Sequence, residues 1–457
     1  MSNTNLPYNL EGMTKPLKQK ELSLFSLIMI AIGATIGSGI FRTPNEIAVH
    51  LPSVGWMVIA WLVGGIVSIF GALSFGELAS MFPKAGGFYN YLRLAFGDFC
   101  AFLFGWSMLL IIGSGSIAAL ALVFSDYLAE IIVIDSSQKL WIAAFIILFH
   151  TLVNVRGVLW GGNVAVFFTL AKLLGIAIVL IIGFQWGAQQ VDILDFEFKN
   201  EGVVAQTNLF SSFGLAMIGV TFSFLGYHYV TFIAGEAENA KKNIPRALSI
   251  SIIIITIVYV AMIAAYLKLL PFGTFLTSQG VAADAVQNAW ANGGIFVALL
   301  ICFSVFGTVG ASILTIPRII FAMAQDGLFF GVFGKKHSKY NTPHWAVLLI
   351  GLWSIVLLFA WGTFSSLISY VTFINSIFFA LTASALVAFR RKKNPSVYRA
   401  WGYPVTTFIF IALMVFITIN TLIQMPSQSI GGIVIVLLGW LGFRGMKKNH
   451  ETKSQDR

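Results

Sequence analysis

The residues best able to do chemistry in this chain sit at interruptions of apolar sequence. Thr35-Ile36-Gly37-Ser38-Gly39-Ile40 breaks the stretch from Leu22 to Ile47, with Gly33, Gly37 and Gly39 close together. Glycine accepts unwound backbone readily. Hydrocarbon does not, because each open backbone group there costs roughly several kcal/mol. Such a break is tolerable where it is buried in protein or lines a polar cavity. Its freed amides, with the Ser38 hydroxyl, then suit a small polar solute near the bilayer midplane. A second patch, Ser223-Phe224-Leu225-Gly226-Tyr227-His228, interrupts the apolar run Ser211 to Glu238. The plain alternative for either patch is a close-packing surface between intact helices.

A third candidate is Lys172, embedded in the apolar run Phe167 to Gly175. A lysine at that depth costs about 3 kcal/mol on insertion scales. It lies about two turns from the nearest helix end, too far for its ammonium to reach water. It is expected to face protein, near carbonyls released by the first break and hydroxyls of the eighth span, with Ser304 and Thr308 as candidates. Its simplest role is a packing strut that satisfies backbone acceptors. His228 either titrates near neutral pH or hydrogen-bonds to helix backbone. Glu77, Glu236 and Glu238 are candidates for ion pairs with Arg246 or Arg156, and Arg42 for an outer vestibule.

The elements that must hold these residues are membrane helices. The 457 residues are 58% hydrophobic and 10% charged, with mean hydropathy +0.87. A soluble domain carries roughly a quarter charged residues. Twelve spans are expected near 22–50, 55–80, 97–126, 139–158, 162–185, 208–237, 245–270, 294–324, 343–361, 364–390, 403–424 and 429–446. Nothing between them is long enough for a soluble catalytic domain. Residues 1–20, with Lys15, Lys18 and Lys20, read as a polar tail without a cleavable signal.

The net charge of +10 is distributed by topology. With the N-terminus inside, Lys84, Arg93, Arg156, Lys241, Lys242, Arg246, Arg318 and Lys335 share one side with the basic run Arg390 to Lys393 and with Arg444. The other side keeps Arg42, Lys139, Lys199 and Lys268 beside Asp192, Asp195, Glu197 and Glu201. This asymmetry places both termini of a multi-pass membrane protein in the cytoplasm and argues against nucleic acid as a partner. Cys100 and Cys302 both lie in spans, so neither a disulfide framework nor a cysteine metal site is expected. Six scattered histidines lack metal-ligand spacing, no nucleotide-binding loop occurs, and no cofactor is expected. A polytopic enzyme and a pump driven by nucleotide hydrolysis are thereby disfavoured. An amino-acid-binding membrane receptor would want a signalling tail longer than those here.

Five spans separate the two breaks, an odd number, so a second repeat would run inverted relative to the first. The expected organisation is a tail at 1–20, a first repeat at 21–188, a second at 205–392, two further helices at 400–446 and a tail at 447–457.

Three motifs carry a family resemblance. Gly33 to Phe41 resembles the G-x-x-I-G-S-G-I-F signature of the amino acid–polyamine–organocation superfamily. Pro83-Lys84-Ala85-Gly86-Gly87-Phe88-Tyr89 resembles its P-x-x-G-G-x-Y loop. Glu236 to Ala247 resembles its E-x-x-N-P-x-K-x-I-P-x-A segment, with Ala240 replacing the usual proline. The chain is most similar to the L-type amino acid transporter subfamily and its bacterial relatives. The resemblance implies an all-α integral membrane protein of the LeuT type, with a 5+5 inverted repeat, broken helices 1 and 6, and alternating access.

It also implies an α-amino acid bound between the breaks, by Thr35, Ile36, Gly37, Ser38, Gly39 and Ile40 with Phe222, Ser223, Phe224 and Leu225. The helix start near Ser38 offers N–H donors and about half a positive charge to the carboxylate. Carbonyls near Thr35, with those of Phe222 and Leu225, suit the ammonium. Phe222 matches the family's shielding aromatic gate. Leu225 stands where a small residue is usual; it either shrinks the pocket toward alanine, serine or glycine or points away. Lys172, with Ser304 and Thr308, matches the place where sodium-coupled relatives hold an ion. A fixed ammonium there implies sodium-independent exchange, while its deprotonation would imply proton symport. No cysteine lies between Asp126 and Lys139, so the disulfide-linked heavy chain of animal relatives is not expected.

Overall fold

The computed structural model describes residues 22–84, 86–156, 162–197, 208–278, 280–340 and 342–455, and their side chains except at 162–165 and 445–455. The tail at 1–20, Ala85, Lys199, Glu201 and the side chains of the second tail lie outside this description. Described residues form helices α1 (Leu24–Thr35), α2 (Gly39–His50), α3 (Val54–Met81), α4 (Phe88–Phe96) and α5 (Asp98–Ala129). There follow α6 (Ser136–Val155), α7 (Gly162–Trp186), α8 (Leu209–Ser223), α9 (Ala240–Leu269), α10 (Val281–Ala289) and α11 (Gly293–Gln325). The chain continues through α12 (His344–Trp361), α13 (Phe364–Arg391), α14 (Val405–Gln424) and α15 (Pro426–Gln455).

Ten of these helices are long and apolar enough to cross a membrane, and the bent pair α1 and α2 raises the number to eleven. The difference from twelve lies at the sixth expected span. There α8 stops at Ser223, and the chain continues as short 3₁₀ turns at Tyr227–Thr231 and Ala234–Glu236. A helix of 15 residues rises only about 22 Å, short of a hydrocarbon core.

Helix ends are set locally. The hydroxyl of Ser23 accepts the Ser26 amide at the start of α1, and the Asn208 side chain accepts the Ser211 amide at the start of α8. These bonds satisfy donors that the helix leaves open. The interior is built by long apolar helices crossing in pairs: α3 along α9, α5 along α11, α2 along α8, and α1 between α7 and α9. α5 is the most deeply buried span and the apolar part of α15 the least. Both broken regions therefore lie inside a helical shell, where unwound backbone can find protein partners.

Candidate functional site

α1 ends at Thr35 and α2 begins at Gly39, with a bend of 41° between them. In the intervening turn the Gly37 amide donates to the Thr35 carbonyl at 2.7 Å, and the Phe41 and Arg42 amides donate to the Ser38 carbonyl. Among the described residues, the amides of Ser38, Gly39 and Ile40 donate to no acceptor. The Ser38 hydroxyl is also buried and unpartnered, at 1% exposure. Three N–H groups and a hydroxyl at a helix start form a cradle for an anionic oxygen.

The second break faces the first closely. The Ser223 hydroxyl lies 2.7 Å from that of Thr43. Each also lies within hydrogen-bond distance of a carbonyl of its own helix, Gly219 at 2.8 Å and Gly39 at 2.9 Å respectively, so one of the two donates across the crossing and the other within its helix. A Cβ on Gly39 would stand 2.6 Å from Cα and Oγ of Ser223, so the crossing of α2 and α8 requires glycine. Gly226 has φ +116, and a Cβ there would collide with the Ala34 carbonyl. The Phe222 carbonyl accepts the Leu225 amide at 3.0 Å, whereas the Leu225 carbonyl accepts none among the described residues. Phe222 and Leu225 are both buried. On the opposite wall, Leu120 of α5 is the nearest side chain to Gly37, followed by Thr308.

Tyr259 of α9 was not singled out by its sequence context. Its hydroxyl lies 3.2 Å from the Thr35 carbonyl and 2.9 Å from that of Ser223, and its ring packs edge-on against Trp61 and Phe224. Thr43 and Tyr127 were missed as well; the Tyr127 hydroxyl donates to the Phe41 carbonyl at 2.7 Å. Tyr259 is a polar side chain inside an apolar run, the same signal that drew attention to Lys172, whereas Thr43 and Tyr127 stand next to Arg42 and Asp126 and carry no such signal.

Lys172 reaches across from α7. Its ammonium donates to the Gly33 carbonyl at 2.8 Å and to the Thr308 hydroxyl at 2.9 Å. Thr308 in turn donates to the Ser304 carbonyl at 3.0 Å. Ser304 contributes that carbonyl, while its own hydroxyl is buried without a partner. The lysine thus sits one turn before the first break, joining α7, α1 and α11.

The breaks are covered on both sides. Phe222 meets Phe364 edge-on at 5.7 Å, and the Arg42 guanidinium stands 5.5 Å over the Phe364 ring. Arg42 is itself buried. At the other end Leu22 exchanges backbone bonds with Glu236 and Glu238. Glu236 pairs with Arg318, and Glu77 with Arg390 through two bonds of 2.8 and 2.6 Å; neither pairs with Arg246 or Arg156. In the loop helix α4, Arg93 bridges Asp98 and Asp326, and the Tyr89 hydroxyl donates to Asp326. The bond to Asp98, reinforced by Asp326, holds the Arg93 guanidinium still more firmly protonated than usual. His228 is buried among Phe88, Tyr229 and Phe379, with Nδ1 unpartnered. Among the described residues no cluster of side chains suits a metal ion.

A helical membrane protein with a buried, broken first span and a charge-free cradle has the makings of a solute carrier. The amino acid permease family model matches residues 22–443, and the chain belongs to that family. It is an amino acid transporter of the amino acid–polyamine–organocation superfamily, not an enzyme. It is 31% identical to the large neutral amino acids transporter small subunit 2 of Oryctolagus cuniculus, over 95% of this chain and 82% of the relative. The b(0,+)-type amino acid transporter 1 of Mus musculus is 31% identical over 90% and 83%. The serine/threonine exchanger SteT of Bacillus subtilis is 29% identical over 94% and 97%.

Proposed function

We propose that this transporter is a sodium-independent exchanger of small or neutral α-amino acids working by alternating access. The observation that carries the reading is the Lys172 ammonium fixed on the Gly33 carbonyl and Thr308. A positive charge beside the first break does the electrostatic work of a bound cation, so no sodium ion is required to hold the break. The open amides of Ser38, Gly39 and Ile40 take the substrate carboxylate. The α1 C-terminal end and the Leu225 carbonyl take the ammonium. Opposed helix ends then recognise a zwitterion without a charged side chain. Phe222 against Phe364 forms the gate on one side.

The reading extends to a LeuT-type 5+5 arrangement of twelve spans, the sixth being α8 with its following turns. The repeats occupy 21–188 and 205–392, with 400–446 appended, and both termini face the cytoplasm of the cell membrane. Leu120 narrows the space beside Gly37, and we read the bulky Leu225 as narrowing the pocket further, which favours small side chains. The relative named a serine/threonine exchanger supports that choice. The absence of cysteine between Asp126 and Lys139 supports a chain that works without a disulfide-linked heavy subunit.

The test is uptake of labelled serine, alanine and leucine into proteoliposomes, preloaded or empty, with Na⁺ and pH varied separately. Uptake into preloaded vesicles alone, indifferent to Na⁺ and to a proton gradient, is the expected result. Uptake into empty vesicles driven by an inward proton gradient would replace exchange with proton symport through Lys172.

A further inference from the structure

Between Asp326 and Glu451 the chain contains no aspartate or glutamate, yet it carries eleven lysines and arginines. Only Arg390 is in an ion pair among the described residues of that stretch, with Glu77. The excess is densest in the connection from α13 to α14, where Arg391, Lys392, Lys393 and Arg399 are all exposed.

This connection is held in one orientation. The Tyr398 amide donates to the Ser80 hydroxyl at 3.1 Å, and the Ala400 amide donates to Glu77 at 2.7 Å. Glu77 simultaneously grips Arg390, whose guanidinium stacks 3.9 Å over the Tyr403 ring. Tyr398 and Ala400 therefore point into the protein, and the alternate residues Val397, Arg399 and Trp401 point out. Val397 is 59% and Trp401 77% exposed. A tryptophan turned outward on a pinned strap has no packing role in the chain. Its apolar surface continues through Val405, the first residue of α14, and Phe408, about one turn along it, both exposed.

We propose that this strap is a docking surface for anionic phospholipid headgroups. Trp401 and Val397 enter the interfacial layer, while Arg391, Lys392, Lys393 and Arg399 face the phosphates. The occupant follows from three features together: unbalanced positive charge, outward apolar residues among the cations, and continuity with an exposed membrane-helix face. A soluble acidic partner would match the charge but would leave Trp401 and Phe408 unexplained. Because Glu77 links the strap to α3, headgroup binding also braces the ends of α3 and α13 against each other.

The experiment is a thermal unfolding shift of the purified full chain in detergent. Phosphatidylglycerol, phosphatidylcholine or inorganic phosphate is added at low and high salt. Phosphatidylglycerol is expected to raise the midpoint at low salt, phosphatidylcholine much less, and inorganic phosphate not at all. Neutralising the strap (R391Q, K392Q, K393Q and R399Q) should weaken phosphatidylglycerol binding by about fivefold per charge removed. W401S should weaken it with the charges intact, and K335Q with K336Q should leave it unchanged. Equal shifts with both lipids, a shift with inorganic phosphate, or a full response in both strap variants would overturn the proposal. The readout is independent of transport, so a failed exchange assay leaves it standing.

Discussion

The hydroxyl of Tyr259 lies within hydrogen-bond distance of two carbonyls that belong to different helix breaks, Thr35 at 3.2 Å and Ser223 at 2.9 Å. One hydroxyl proton is shared between the end of α1 and the end of α8. The two discontinuities are thereby fixed relative to each other by a third helix, α9, rather than by direct contact alone. Any movement that separates α1 from α8 must release one of the two carbonyls. Tyr259→Phe keeps the ring against Trp61 and Phe224 and deletes only this tie. A neutral hydrogen bond is worth about 1 kcal/mol net, so transport should fall roughly fivefold while the unfolding midpoint moves little. Initial-rate amino acid transport in proteoliposomes, read beside thermal unfolding, checks this. Unaltered kinetics would reduce Tyr259 to a packing residue.

Lys172 makes the second prediction. Charge-assisted hydrogen bonds contribute about 1.5–3 kcal/mol, so Lys172→Met should lower amino acid transport by about ten- to a hundredfold. Stability should hold or rise, because the variant no longer buries an ammonium. Thr308→Ala removes one of the two acceptors and should cost less than Lys172→Met. Normal transport by Lys172→Met would leave the lysine as a strut between α7 and α1.

The first break was legible from glycine spacing in apolar sequence, and the family resemblance put a helix end near Thr35 and a restart near Ser38, where the structure has Thr35 and Gly39. Lys172 was legible because hydrocarbon leaves a mid-span ammonium few places to go, and both acceptor elements could be named. What the sequence hid were relationships across helices. Tyr259 looks like one polar residue in an apolar run and Thr43 like one of several polar residues after the first break, and nothing local says that two distant carbonyls or a distant serine lie opposite. The ion-pair partners of Glu77 and Glu236 were hidden for the same reason. Pairing between helix ends depends on the packing of whole spans, and Arg390 and Arg318 lie far along the chain. The sixth span's interruption was legible as well: the patch from Ser223 to His228 is where α8 stops and a 3₁₀ turn takes over, although hydropathy alone gave no sign of how short α8 is.

Gly226 gives a third prediction, on stability and activity together. Its φ of +116 is a conformation that side-chain-bearing residues avoid, and an added Cβ would collide with the Ala34 carbonyl. Gly226→Ala should therefore destabilise by about 1–3 kcal/mol and displace the second break from the first. Binding of a labelled amino acid to the detergent-purified variant should be lost even below its unfolding temperature. Retained affinity would show that the break tolerates a shifted α1.

The last prediction concerns pH and lies just beyond α5. Glu130 is raised above the ordinary 4.5, first by partial burial and then by the charge of Asp284, with Asp126 adding and Lys139 opposing. Asp126 is already engaged by Lys139 at 2.9 Å, and Asp284 by the Ser278 hydroxyl, so Glu130 lacks a dedicated cation. A carboxyl group with a folded-state value above its unfolded one disfavours folding when ionised. That penalty is present above the folded value and is relieved as the pH falls through it. Glu130→Gln removes the ionisable group, so the variant should unfold at a higher temperature than the parent near pH 8. The gap should shrink steadily on acidification and close near pH 4. Parallel unfolding curves across that range would show that Glu130 titrates as an ordinary surface carboxylate. A variant less stable at every pH would mean that the ionised group makes a favourable contact with Lys139 that outweighs its repulsion from Asp284.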